Sequence, residues 1–354
     1  MKPIEKLRAA MHEKNIDAVL VTDELNQRYL TGFPFTDGYV LVLSDTAYLI
    51  TDFRYREGAE KGADAAFTVE TPKPMLGFME ETLRREGVKT LGYEDETLPM
   101  AAYKRFADYF SVSLSPIGDL FLSLRSVKDE EEIACIAEAQ RITDAAFSHI
   151  TDILVPDMTE NEVALELEFF MRKNGAEKVS FDTIAVSGTQ SALPHGTPRD
   201  VTLERGFLTM DFGCIYRGYC SDMTRTVSVG EATDEMRRLY DTVLKAQTDA
   251  IAALRPGITG YDADKVARDV IEGAGYHGAF GHSLGHGVGM FIHEEPRLSP
   301  SAKSLVLVPG HVVTAEPGIY LPGKYGCRIE DLIVITENGC RDLTQSPKNL
   351  IEIL

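Results

Sequence analysis

Four carboxylates and a small group of histidines are the residues here whose types and spacing suit chemistry. In residues 208–227, LTMDFGCIYRGYCSDMTRTV, two strand-like runs flank Tyr216-Arg217-Gly218, and folding back about Tyr216 and Arg217 sets Asp211 opposite Asp222. Aspartate is depleted in strands, and like charges facing each other across a ladder repel, so a positive group is expected between them. From Val312 onward, VVTAEPGIYLPGKYGCRIEDLIVI repeats the arrangement: a reversal at Pro322-Gly323-Lys324 sets Glu316 opposite Glu330. Each acid lies in or beside an apolar run. A solvated face accounts for one such pair but not for two. Four carboxylates share an apolar site only if some are protonated or a cation offsets them. The expectation is a polynuclear metal centre.

The histidines point the same way. Gly281-His282-Ser283-Leu284-Gly285-His286-Gly287-Val288-Gly289, followed shortly by His293, holds three of the chain's eight histidines. His282 and His286 have the spacing of a helical zinc pair, but the glycines, each costing about 1 kcal/mol in a helix, favour extended or looped backbone. A lone histidine is ordinarily a hydrogen-bonded core or surface residue; three this close favour a site. His195, in Leu193-Pro194-His195-Gly196-Thr197-Pro198, sits in a loop, where exposure and function explain it equally well.

These residues need elements to hold them. Residues 1–122 read as a self-contained α/β unit, a sheet covered by helices. A helix over 3–14 leads to a strand at 17–21, then a meander of 39–43 and 47–50 hinged at Ser44-Asp45. Helical patterns at 74–86 and 101–110 then alternate with strands at 90–93 and 111–114. This unit has no G-x-G-x-x-G, P-loop or His/Cys cluster and reads as a scaffold or dimerisation domain. From 123 the composition turns charged, and Ile133, Ile136, Ala139, Ala146, Phe147 and Ile150 mark a long helix interrupted at Thr143.

The part from 123 to 354 contains a weak internal repeat. Leu154-Val155-Pro156-Asp157-Met158-Thr159 resembles Leu254-Arg255-Pro256-Gly257-Ile258-Thr259 at an offset of 100, and each leads into an amphipathic helix ending near Gly175 or Gly275. The unit helix, helix, hairpin-with-two-acids therefore occurs twice, and two half-sites meeting at a pseudo-twofold axis would bring the four acids together.

Composition bounds the rest. The 354 residues suffice for two domains, and 44% apolar with 26% charged content is that of a soluble globular protein. A net charge of −19 argues against nucleic acid or anionic membrane as partner. No apolar run approaches the roughly 20 residues of a membrane span, and the first residues lack the apolar core of a secretory signal. Cys135, Cys214, Cys220, Cys327 and Cys340 form no CxxC pair and read as reduced thiols in a cytoplasm. Cys214 and Cys220 come within one step of facing each other in the hairpin register above, which leaves a disulfide there as a minor option.

NQRYLTGF, SFDTIAVSG, ALPHGTP, MDFG, SDMTRT, GHSLGHGVG, IHEEP and AEPGIYLPGKYGCRIED, in this order over nearly the whole chain, resemble the pita-bread metallopeptidases. The likeness is to their Xaa-Pro branch, aminopeptidase P and Xaa-Pro dipeptidase (prolidase). The resemblance implies an α+β pita-bread catalytic domain over 123–354 with the pseudo-twofold repeat. It also implies five metal ligands, Asp211, Asp222, His286, Glu316 and Glu330, with Asp222 and Glu330 bridging two divalent ions. It selects His286 over His282, which spacing alone does not. His195 and His293 would face the substrate, His282 would line the site, and Arg328 with Thr224 or Thr226 would hold the bridging carboxylates. Glu316 would be the general base. The ions would be Mn²⁺ foremost, with Co²⁺, Zn²⁺ or Fe²⁺ as the other options. The implied enzyme is a cytoplasmic, homodimeric hydrolase of proline-containing peptides or dipeptides. A methionine aminopeptidase would share the ligands but not the N-terminal domain, and creatinase-like enzymes lack the ligands. A peptidase-like module kept only for protein binding typically loses them.

Overall fold

In the computed structural model, which describes residues 1–354, the apolar strand Ala18–Val21 is buried at every position. It lies inside a six-stranded mixed sheet ordered 68–70, 47–50, 39–43, 18–21, 90–93, 113–116. The meander pairs antiparallel, Leu41 facing Tyr48 and Leu20 facing Leu41, whereas 18–21, 90–93 and 113–116 run parallel. Parallel neighbours need crossovers, and the helices Met75–Arg85 and Met100–Tyr109 supply them. Met79, Leu83 and Phe106 from those helices pack with Leu20, Leu41 and Leu91 in one core. Three short helices, Glu24–Thr31, Phe53–Gly62 and Leu120–Ser126, and the strand Thr68–Glu70 were not apparent from the sequence pattern. The chain divides into compact units of residues 1–124 and 125–354, so the division falls inside the helix Leu120–Ser126.

In the second unit the repeat is visible in the packing. Asp129 and Glu132 form a capping box that starts the helix Glu130–Ile153. That helix runs unbroken through Thr143, whose hydroxyl is accommodated by bonding back to the Ala139 carbonyl and to Ser221 Oγ at 2.7 Å. Thr159 and Thr259 cap the helices Glu160–Lys173 and Gly260–Gly273. Val163, Leu167 and Met171 are buried on the first, and Ala263, Ala267 and Ile271 at the matching positions of the second. Each helix follows a long antecedent, 130–153 or 234–253, and each pair covers its own core. One core is built on the sheet ordered 352–353, 223–229, 206–212, 184–187, the other on the sheet ordered 294–298, 285–287, 312–315, 331–336, 339–342.

The two acidic hairpins differ in how well their register was foreseen. In the second, Gly318 pairs with Arg328 and Ala315 with Asp331, so Glu316 and Glu330 face each other between the two ladders as expected. In the first, Tyr216 pairs with Tyr219 around a two-residue turn, Arg217-Gly218. Thr224, not Asp222, then stands opposite Asp211, and Asp222 falls one step beyond the Met223–Phe212 pair. The physical reason is the turn: Arg217 and Gly218 both take positive φ, 46° and 87°, so the two-residue reversal is centred on Arg217-Gly218, one residue later than the Tyr216-Arg217 reversal read from the sequence. The difference is two residues, so Asp222 keeps its face of the ladder, because side chains alternate with period two. The same change pairs Cys220 with Ile215, and both Cys214 and Cys220 are free thiols.

Candidate metal centre

Two strand ends and two hairpins aim their polar side chains at one point. Asp211 stands near the end of the strand Gly206–Phe212, and Asp222 just before Met223–Val229. His286 is the middle residue of Gly285–Gly287, Glu316 follows Val312–Ala315, and Glu330 precedes Asp331–Thr336. Ligand atoms of Asp222, His286 and Glu330 all lie within 4.8 Å of one another, and all three residues are buried. His286 Nε2 is 3.5 Å from Asp222 Oδ2 and 3.4 Å from Glu316 Oε1.

Backbone and hydroxyl partners fix these groups. His286 Nδ1 is 3.1 Å from the Gly287 carbonyl, which makes Nδ1 the protonated nitrogen and leaves the Nε2 lone pair facing the acids. Glycine on both sides of His286 is required by close approach: a Cβ at Gly285 would overlap the Thr314 carbonyl, and one at Gly287 the Glu295 carbonyl. Thr314 donates to Glu316 Oε1 at 3.2 Å and accepts from the His286 N–H at 3.1 Å. Thr224 Oγ donates to Glu330 Oε2 at 2.7 Å and accepts from Arg328 Nε at 2.9 Å. Arg328 also donates to Asp211 Oδ2 at 2.7 Å, to the Pro194 carbonyl and to Tyr320 Oη. Thr226 sits one step further back: it donates to the Arg328 carbonyl and reaches no carboxylate.

The electrostatics are those of acids lacking a counter-charge. Burial raises the Asp222 carboxyl well above its ordinary range, and Asp211 and Glu316 add to the rise. Glu330 is raised likewise, by burial and then by Asp222, Glu316 and Asp211. Burial pushes Glu316 to about 8, against the pull of Arg328. His286 is driven down to about 3 by burial, so its approaches to Asp222 and Glu316 are not ion pairs. They are neutral and acidic donors converging on a common centre. Asp211 Oδ1 is buried without any hydrogen-bond partner, a costly state for a carboxylate unless something else coordinates it. An oxygen-rich set with one neutral imidazole and an orphaned carboxylate oxygen fits divalent cations, which would reverse the resistance to ionisation.

A cavity of about 520 Å³ opens onto this cluster, lined also by Phe181, Pro194, His195, His282, Ile292 and His293. Burial lowers His293, and Arg297 and His195 lower it further. His282 is held at Nδ1 by the Ser283 carbonyl and at Nε2 by Tyr320 Oη, both at 2.9 Å, and burial lowers it to about 4. Neutral His282 therefore accepts from Tyr320, whose oxygen in turn accepts from Arg328. Three residues of the site escaped the sequence reading: Thr314, Tyr320 and Arg297. Thr314 was findable, since two residues before Glu316 on one strand it shares that face. Tyr320 and Arg297 carried no such mark.

The model of metallopeptidase family M24 matches residues 134–337, and that of the creatinase/prolidase N-terminal domain residues 3–127. An Xaa-Pro dipeptidase of Pyrococcus furiosus is 40% identical over 357 residues, covering 98% of this chain and 99% of its own. The structure of an Xaa-Pro dipeptidase from Bacillus anthracis is similar with a TM-score of 0.95 and 44% identity, over 99% of both chains. An X-Pro aminopeptidase from Thermotoga maritima is similar with a TM-score of 0.91 and 40% identity, over 96% of this chain and 98% of the other.

Proposed function

This chain belongs to metallopeptidase family M24, and on that footing we propose that it hydrolyses the bond between an N-terminal residue and proline, with the Xaa-Pro dipeptide as its preferred substrate. The observation that carries the reading is the convergence of buried Asp222, His286 and Glu330 donors within 4.8 Å, in a cavity that Asp211, with one unpartnered oxygen, also lines. Relatives named for Xaa-Pro cleavage match the chain from end to end.

Two divalent ions would be held by Asp211 and Asp222 from one half of the unit and His286, Glu316 and Glu330 from the other; Mn²⁺ is the proposed ion. When bound, they supply Lewis acidity and make hydroxide available near neutral pH. The protein's own residues do the rest. Glu316 Oε1 is tied to Thr314, while Oε2 has no hydrogen-bond partner and is the oxygen that takes the proton of the attacking water. His293 and His195 are the donors placed to meet the carbonyl oxygen and the imide nitrogen, which as a tertiary amide has no N–H to be recognised. His282 holds Tyr320 against Arg328 and so keeps Arg328 on Asp211.

Substrate length is decided by where a C-terminal carboxylate is met. Arg328 already gives four hydrogen bonds, to Asp211, Thr224, Tyr320 and Pro194, which commits it to holding the acids and the loop in place. Arg297 lines the same cavity and its guanidinium makes no hydrogen bond or ion pair with the protein, which favours the dipeptidase reading. The likeness to an X-Pro aminopeptidase supports the alternative, a longer substrate. With Mn²⁺ or Co²⁺ added, Ala-Pro should be cleaved faster than Ala-Pro-Ala, and the reverse order would reassign the chain to the aminopeptidase branch. Glu316→Gln should abolish turnover, and full activity in that variant would remove Glu316 as the base. We place the protein as a cytoplasmic homodimer whose 1–124 unit supplies the dimer surface; five free thiols suit a reducing compartment, and light scattering reads the mass directly.

A further inference from the structure

His293 differs from its neighbours in how it is held. The rings of His282 and His286 are each anchored by hydrogen bonds, whereas the His293 ring makes none and stands T-shaped to His286, at 4.4 Å between centroids. Its position therefore depends on the backbone of the turn over residues 288–293. The residue after it, Glu294, lies under that turn and is 2% exposed. Glu294 Oε1 accepts from the Phe291 N–H at 3.1 Å and from Arg125 Nε at 3.0 Å, and Oε2 accepts from Lys128 Nζ at 3.3 Å.

The surroundings are built for this cluster. Lys128 is buried, its side chain 1% exposed, and its N–H donates to the Gly310 carbonyl at 2.9 Å. Glu132, also buried, adds a second negative charge near Lys128, so two acids offset two bases. Gly289 leaves room for it: a Cβ there would overlap Glu294 Oε2 and come within 2.9 Å of Lys128 Cε. The Gly289 N–H donates to the Phe291 carbonyl at 3.2 Å, and its carbonyl accepts from the Cys220 N–H at 2.8 Å. Glu294 does not line the cavity.

We propose that Glu294 is a positioning residue for His293: seated on the buried cations of Arg125 and Lys128, it sets the turn that aims an otherwise unanchored imidazole at the scissile bond. The inference rests on the Xaa-Pro hydrolase reading. Its consequence is that Glu294 acts on catalysis through His293 alone, since misplacing a reacting group by about 1 Å costs on the order of a hundredfold in rate.

A double-mutant cycle tests this on the metal-loaded full chain with Ala-Pro as substrate. Gln at 294 keeps the size and one acceptor oxygen but removes the charge. Glu294→Gln should lower kcat roughly ten- to hundredfold with metal stoichiometry unchanged, and should cause no further loss in a His293→Ala background. An equal loss in both backgrounds, or none in either, overturns the proposal. If Glu294→Gln does not fold, Lys128→Met, which leaves Glu294 in place with one cation fewer beneath it, is put through the same cycle with the same criteria. A second readout needs no turnover: in the metal-free protein the His293 ring Cε1–H signal should be single in wild type and shifted or doubled in the variant. An unchanged signal also overturns the proposal. If wild type fails to cleave Ala-Pro at all, the functional reading falls, and the ring signal still decides the placement of His293.

Discussion

At the scale of single residues, the centre is decided by what holds each carboxylate still. Thr224 links two of them: it donates to Glu330 Oε2 and accepts from the arginine that grips Asp211. Thr224→Val keeps the β-branched shape that suits the strand but deletes both bonds. Partners of this kind are worth about ten- to hundredfold in metal affinity, so a competition titration with a chromogenic chelator should show weakening of that order, with the folded structure kept. The acids themselves were legible in the sequence because aspartate and glutamate inside apolar strand patterns contradict propensity, and contradictions of that kind concentrate at functional sites. Thr224 and Arg328 came only with the family resemblance. Tyr320 and Arg297 stayed hidden because tyrosine is an ordinary strand residue and an arginine in a loop is usually just solvated.

At the scale of elements, the alternation of helix and strand and the offset of 100 were readable, since caps, proline and glycine fix helix ends locally. The first hairpin's register was not. It depends on whether Arg217 enters the left-handed region, which arginine does at a cost of about 1 kcal/mol and which nothing in the triplet Tyr216-Arg217-Gly218 announces. Arg217 recovers part of that cost by lying over the Tyr216 ring at 5.6 Å, an exposed cation–π contact worth roughly 0.5 kcal/mol. The strain term is the larger. Arg217→Asn, which gives the Asn-Gly pair preferred in a two-residue reversal of this kind, should therefore stabilise the protein by a few tenths of a kcal/mol. The urea midpoint should rise slightly with an unchanged slope. A fall in the midpoint would mean that the cation–π contact outweighs the strain.

At the scale of the whole molecule, the catalytic unit is two halves with separate cores whose acids meet, in a chain of net charge −19. The meeting point opposes folding until a cation occupies it. Glu316 gives the pH window: its ordinary value is 4.5 and burial raises it to about 8. A group raised in the folded state favours folding fully below its unfolded pKa, and that contribution is lost as pH rises through the folded pKa. Asp222 and Glu330 are raised as well and act with the same sign. Chelator-treated protein should therefore lose thermal stability as pH climbs from about 4.5 to about 8. Metal-loaded protein should not, because an ion that binds only the folded state stabilises it by mass action, and binds better once the carboxyls have shed their protons. The gap in Tm between the two forms should widen steadily across that interval. Scanning calorimetry at several pH values, with and without Mn²⁺, measures it, and a gap independent of pH would mean that the ions are not held by these buried acids. Glu316→Gln, which removes one of the titrating groups, should narrow the gap at its upper end, tying the effect to the cluster and not to the surface charge.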